Sequence, residues 1–207
     1  FGRADAMAGA HGGSDAFYAR GVATYSRAGD YQDGSGDSVH SNYLRWSTNA
    51  ALGLTPNENT RFELSATKSD GEAAYADRAM DGAKFARDNV GLKADWRNAN
   101  HGVLEKVEAQ VFRNYVDHVM DNFTLRTFTP SMMMPNPSVS NPDRLTIGGR
   151  ATATLNAGEM TQIKAGVDMQ QNTHSIRGTM NQTVMPYENK ARVEDAYFSN
   201  RGLFGEA

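Results

Sequence analysis

The sequence contains no cysteine, no long hydrophobic run and no cluster of charge of one sign. The absence of cysteine excludes disulfides and any thiolate metal or redox site within these 207 residues. No stretch approaches the roughly 20 apolar residues that a membrane-spanning helix requires, and the mean hydropathy is -0.60. The net charge of -3 with dispersed basic residues argues against a nucleic-acid partner.

What the sequence does have is polar–apolar alternation with a period of two, clearest in 61–67 (RFELSAT) and 162–170 (QIKAGVDMQ). Alternation of this kind predicts β-strands with one apolar face. The eight predicted strands cover about 15–27, 42–54, 60–69, 88–97, 103–118, 143–155, 160–173 and 190–204. They are roughly 10 to 14 residues long, which matches tilted strands that cross a bilayer better than the shorter strands of soluble sandwiches.

The connections between these strands alternate in length. The predicted short turns are 55–59, 98–102 and 156–159, and the predicted long connections include 29–41, whose composition opposes regular structure, and 119–142, which contains four prolines. This rhythm predicts an all-β, antiparallel transmembrane β-barrel with short periplasmic turns and long extracellular loops. A large soluble β-barrel or a repetitive β-sheet protein with a structural role is the alternative.

Segments 114–122 (NYVDHVMDN) and 132–137 (MMMPNP) resemble TonB-dependent copper receptors of the bacterial outer membrane, and 143–150 (DRLTIGGR) agrees with the barrel of that family. The resemblance implies a 22-stranded barrel around an N-terminal plug, with import energised through TonB. On that basis residues 1–207 are part of the barrel domain, about eight of its strands, and the plug is absent. A start at Phe1 rather than Met fits either a mature chain or a fragment of a longer one, and the fragment is the favoured interpretation.

The resemblance implies that His118 and Met120 are copper ligands near the external face, and that a Cys and a Met of the plug complete the site. Thioether sulfur and imidazole suit Cu(I), and residues i and i+2 of a strand point to the same face. A lone His-x-Met is a weak motif without the family. The run of Met132, Met133 and Met134 is a candidate auxiliary capture site for copper, although it could equally be adaptable apolar filling of a loop.

The predicted function is therefore an outer-membrane receptor that binds and imports copper as its transported ligand. Its partners would be copper, outer-membrane lipid and the TonB complex, the last through the missing plug. The alternative is a receptor of the same architecture for a siderophore or another organic ligand, in which the methionines have no metal role. The sequence has no Gly-x-Ser-x-Gly elbow and no convincing Ser/His/acid arrangement, so an enzyme is not predicted.

Overall fold

The computed structural model of the chain describes residues 2–100, 102–158 and 160–207. Phe1, His101 and Glu159, the last two in predicted turns, lie outside the described residues. The strands are β1 (Ala4–Gly13), β2 (Phe17–Ala28), β3 (Tyr31–Gln32), β4 (Ser38–Val39), β5 (Tyr43–Asn57), β6 (Thr60–Ala73), β7 (Asp81–Arg97), β8 (Leu104–Asp121), β9 (Val139–Asn156), β10 (Gln162–Thr179) and β11 (Val193–Glu206). A single 3-10 turn, Tyr187–Asn189, precedes β11. In the described part of the chain, no helix is both long and apolar enough to cross a bilayer.

Nine strands form one antiparallel sheet in the order β1-β2-β5-β6-β7-β8-β9-β10-β11, and β3 and β4 pair separately. The prediction of an all-β antiparallel fold is confirmed. The prediction of eight strands is corrected to nine, because β1 (ADAMAGAHGG) was missed. That strand has no β-branched or aromatic residue, so its composition gives no strand signal. Within the described residues the sheet is open, with β1 and β11 at its two edges.

Two strands begin earlier than the sequence predicted. β7 starts at Asp81 and β9 at Val139, so the connections before them shorten to 74–80 and 122–138. Pro142, which was expected to lie in the loop, is inside β9 and pairs with Ile176 of β10. The backbone nitrogen of Pro142, which carries no hydrogen, faces β8. On that side the ladder is interrupted, because Asp117–Asp143 is followed directly by the pair Met120–Ser140. The proline is tolerated because the ladder is interrupted on that side.

The predicted alternation of loop lengths is confirmed. One end of the sheet, the short-turn end, has the connections 14–16, 58–59, 98–103 and 157–161. The opposite, long-loop end has the connections 29–42, 74–80, 122–138 and 180–192.

One face of the sheet, the apolar face, presents large hydrophobic side chains to the outside. The register aligns Leu52 with Leu64, Leu64 with Leu92 and Leu92 with Val111, so apolar residues of neighbouring strands form continuous rows. Exposed members of this face are Phe17, Leu52, Leu54, Phe62, Leu64, Val90, Leu92, Trp96, Val111, Ile147, Ile163, Val167, Met169 and Leu203. A continuous exposed apolar surface of this size requires an apolar partner.

The opposite, polar face carries charged side chains that pair across strands. Tyr18 donates a hydrogen bond of 2.6 Å to Glu63, which also accepts from Arg20. Lys106 and Lys164 both approach the carboxylate of Glu108, at 2.8 and 3.8 Å. Side-chain hydrogen bonds and ion pairs thus connect neighbouring strands on the polar face.

The interior composition is inverted relative to that of a soluble globular domain. Among the described residues, the buried hydrophobic side chains are Ala51, Ala74, Val119 and Val139 only. The fully buried side chains are instead polar, namely Asp81, Ser138 and Asn141. Soluble proteins bury apolar side chains and leave polar ones in water, whereas a transmembrane barrel turns its apolar residues toward lipid.

Candidate functional site

His118 lies near the end of β8, on the polar face at the long-loop end. Its imidazole stacks on the ring of Phe85 in β7, with 4.5 Å between the ring centroids and 28° between the planes. Nε2 of His118 is buried and has no hydrogen-bond partner among the described residues. Buried polar atoms are nearly always bonded, so this nitrogen is an unused donor or acceptor in a fixed ring.

On the side of β9, the backbone carbonyl of His118 is bonded to a side chain instead of a backbone N–H. The register places Pro142 opposite His118, where it offers no N–H. The side-chain amide of Asn141 donates to the His118 carbonyl oxygen at 2.9 Å and therefore takes the place of the missing donor. Asn141 is completely buried.

Met120 lies two residues beyond His118 and points to the same face of β8. It pairs with Gly82 of β7, next to a register shift between Gly82 and Lys84. A Cβ atom on Gly82 would lie 2.1 Å from Cζ of Phe85, so the Phe85 ring occupies the space that a side chain would need. The absence of a side chain at Gly82 thus allows Phe85 to lie against His118.

The methionines of loop 122–138 lie in two different environments. Met132 and Met133 are almost fully exposed, at 102% and 88%. Met134 folds back, and its Sδ accepts a hydrogen bond of 3.7 Å from Nδ2 of Asn122, the first residue after β8. The structure therefore places two thioethers in solvent and the third beside the end of the strand that carries His118 and Met120.

Asp81 links three of the long loops. Its carboxylate accepts a hydrogen bond of 2.7 Å from Nε of Arg126 and lies 2.9 Å from Nε2 of His40. The Arg126 guanidinium also donates to the carbonyl oxygens of Tyr75 and Arg78. Residues of loops 29–42, 74–80 and 122–138 are thus joined through one buried carboxylate.

A second network holds the fourth long loop. Arg192, at the end of loop 180–192, donates to Asp117 of β8 at 2.8 Å and to Oδ1 of Asn141 at 2.9 Å. It also lies 3.0 Å from Asp143. Asp117 in turn pairs with Lys84 at 2.8 Å. Arg192 therefore connects loop 180–192 to Asp117, which precedes His118, and to Asn141 and Asp143 on β9.

Three ionisable side chains in the loops have shifted pKa values. The backbone N–H of Ser41 and the side chain of Asn42 donate to Asp30 and lower the pKa of its carboxyl. The hydrogen bond to Asp81 raises the pKa of Arg126. Burial, followed by the charge of Glu188, raises the pKa of Tyr187. The shifts of Asp30 and Arg126 favour the charged states that accept or donate their hydrogen bonds.

Comparison with known proteins identifies a similar solved structure. No protein-family model and no curated protein matches the chain. The structure of the protein titled "Copper transporter OprC" matches 98% of this chain, with 40% sequence identity and a TM-score of 0.89. The chain is OprC-like. The match covers 34% of the OprC chain, so the chain spans about a third of the length of that protein.

Part of the candidate site could be predicted from the sequence. The His-x-Met spacing on a strand predicted a shared face for His118 and Met120, and the register agrees. The sequence did not indicate Phe85 or Asn141, because their contacts depend on pairing between distant strands. Within the described residues, no group of three or more His, Cys, Asp or Glu side chains is arranged to hold a metal.

Proposed function

We propose that this chain is part of an outer-membrane receptor that binds copper at its long-loop end and imports it in a TonB-dependent way. The observation that carries the proposal is the buried, unpartnered Nε2 of His118, on the same face as Met120, in a chain similar to a copper transporter. An imidazole nitrogen and a thioether sulfur suit Cu(I) and are poor ligands for Ca²⁺ or Mg²⁺. The remaining ligands would come from outside these residues.

The apolar face supports placement in a bilayer. The strands β7 to β10 have 17 or 18 residues, whereas about 9–11 suffice to cross the hydrocarbon core. On β8 the apolar face ends at Val111 and is followed by Arg113. His118 lies five residues further on, about 17 Å along the strand. The proposed barrel would close with further strands, 22 in all, and would hold the candidate copper site beyond the lipid on the external side.

Met132, Met133 and Met134 are proposed as an auxiliary capture site. The first two present thioethers to solvent, and the third lies at the end of β8. Weak binding by exposed thioethers would raise the local copper concentration without competing with the buried pair. Met180 and Met185, both exposed in loop 180–192, lie at the same end of the sheet.

The test is copper binding by the full-length protein and by its His118→Ala and Met120→Ala variants, measured by competition for Cu(I) under reducing conditions. His11→Ala and Met160→Ala, which change exposed residues elsewhere, are the matched controls. Both site variants should lose tight copper binding and both controls should keep it. Unchanged copper binding in the site variants would remove His118 and Met120 from the site. A wild-type protein without copper affinity would favour the receptor for an organic ligand.

A further inference from the structure

The two borders of the apolar face differ in charge. At the border toward the long loops the face carries Arg27, Lys68, Arg113 and Arg201, all exposed. At the border toward the short turns it presents Trp96, Val107 and Ile163, and no lysine or arginine of the described strands occupies it. The surface next to the apolar face is therefore basic on one side only.

Two of these cations are free to bind an external anion. Arg113 lies over the ring of Tyr115, with 5.7 Å from the guanidinium carbon to the ring centroid. For Arg113 and Arg201, no carboxylate within the described ranges lies at ion-pair distance. Lys68, by contrast, approaches Asp88 at 3.9 Å. Guanidinium groups bind phosphate through paired N–H donors.

An apolar groove lies directly beside these two arginines. It is an open depression of about 620 Å³ on the apolar face. Gly149 and Ala151 of β9 form its floor because they have little or no side chain, and the larger Val111 and Met169 stand on the neighbouring strands. Arg201 lines the groove itself. Arg113 follows Val111 on the same face of β8.

We infer that this groove binds one acyl chain of an anionic, phosphate-bearing membrane lipid, whose headgroup contacts Arg113 and Arg201. The inference rests on the proposed placement of the apolar face in a bilayer. Arg113 and Arg201 stand on β8 and β11, three strand spacings apart, which is about 14 Å across the sheet. Their long side chains can therefore contact two anionic groups of one headgroup. The apolar groove is complementary to the acyl chain of such a lipid, and the two arginines are complementary to its anionic headgroup.

The test is equilibrium binding of purified lipopolysaccharide, which has acyl chains and phosphates, to the full-length protein in neutral detergent. The double variant Arg113→Gln/Arg201→Gln removes the headgroup contacts, and Ala151→Phe fills the groove. The contribution typical of a cation near an anionic lipid surface predicts about 30-fold weaker binding for the double variant. Ala151→Phe should also weaken binding, and inorganic phosphate alone should not compete.

Matched controls separate this site from general adsorption. Arg45→Gln changes an arginine of the polar face that lies over Tyr43 at the same 5.7 Å. Ala66→Phe adds a ring to the apolar face outside the groove. Both controls should bind lipopolysaccharide like the wild type. Wild-type affinity in the double variant, or an equal loss in Arg45→Gln, would overturn the inference.

The same preparations distinguish failure of this inference from failure of the proposed function. A protein that is soluble and folded without detergent contradicts the membrane placement, and both proposals then fall. A detergent-dependent protein that binds copper but shows no difference between the lipid variants overturns the lipid site alone. Copper affinity should be the same in the double variant as in the wild type.

Discussion

The side-chain amide of Asn141 donates a hydrogen bond of 2.9 Å to the carbonyl oxygen of His118. The residue opposite His118 is Pro142, which has no backbone N–H to donate to that oxygen. The same amide donates to Asp117, and its oxygen accepts from Arg177 and Arg192. One buried residue therefore satisfies the backbone beneath the candidate ligand and connects it to loop 180–192. Asn141 is a positioning residue, since it acts through His118 and Arg192.

Asn141→Ala should lower the Cu(I) affinity of the full-length protein by about 10- to 100-fold, the usual effect of removing a group that orients a ligand. The change leaves buried polar groups without partners, so thermal stability should fall as well. Asn114→Ala, which changes a residue on the strand of His118 that is bonded to Arg87, is the control and should retain copper affinity. Equal copper affinity in the two variants would show that Asn141 stabilises the loop without orienting His118.

Gly82→Ala should weaken copper binding without a change in any proposed ligand. The added Cβ would lie 2.1 Å from the Phe85 ring, so the ring must move away from His118. Gly91→Ala on the same strand meets Oγ of Ser65 at 3.2 Å, which requires a much smaller adjustment. Competition titrations with Cu(I) should therefore separate the two variants. If both bind copper like the wild type, the Phe85 contact has no part in the site.

Asp81→Asn should loosen the long loops. Removing the charge leaves the partly buried Arg126 without its ion pair, and the loss should exceed that of an exposed pair because the Asp81 side chain is completely buried. Limited proteolysis should then cut within 74–80 and 122–138 sooner than in the wild type. Asp95→Asn, which breaks the more exposed pair with Arg61, should cost about 1 kcal/mol or less. Equal protease resistance in Asp81→Asn and the wild type would argue against the loop linkage.

Loop 29–42 should become less ordered in acid because of Asp30. The folded-state pKa of this carboxyl is lowered by the donors of Ser41 and Asn42. Its contribution to stability is therefore complete above the ordinary aspartate pKa of about 4 and is lost as the pH falls through the lowered value. The protection of the Ser41 and Asn42 amides against hydrogen exchange, taken relative to the intrinsic exchange rate at each pH from 6 downward, measures this loss. In Asp30→Asn, which keeps an acceptor but cannot ionise, this protection should not change with pH.

Replacing both Met132 and Met133 with alanine should reduce copper uptake at low copper concentration and leave the affinity of the buried pair unchanged. Both thioethers are exposed at the long-loop end, so they can meet copper before the buried site does. Met160→Ala removes a thioether that is 99% exposed at the short-turn end and should have no effect on uptake. Uptake equal to wild type at every copper concentration would reduce these methionines to loop packing.

The sequence predicted those parts of the fold that depend on local pattern. β6 and β10 alternate Leu, Phe, Ile and Val with polar residues, and both were predicted close to their observed positions. β1 was missed because Ala and Gly dominate it. The start of β9 was missed because Pro142 predicted a loop, whereas its missing N–H faces a gap in the β8–β9 ladder. Local composition does not reveal whether the side of a strand to which a proline nitrogen points will be paired with a neighbouring strand.

In the candidate site, too, local features could be predicted from the sequence and features that depend on strand pairing could not. The spacing of His118 and Met120 is a local property, so their common face could be predicted from a period of two. The stacking of Phe85 on His118 depends on the register of β7 against β8, which shifts by one residue between Gly82 and Lys84. Nothing near Phe85 in the sequence indicates that shift. The role of Asn141 likewise depends on a residue 23 positions away along the chain.

The strict alternation of faces also constrains how this chain can change length during evolution. A single inserted residue between Arg113 and His118 would turn His118 and Met120 to the apolar face and bring their neighbours to the polar face. Insertions and deletions in β8 must therefore come in pairs or be absorbed by a bulge, as at Ala83 on the neighbouring strand. Odd changes in length remain possible in loop 122–138. Homologous chains should accordingly keep the parity of this interval while their long loops vary freely in length.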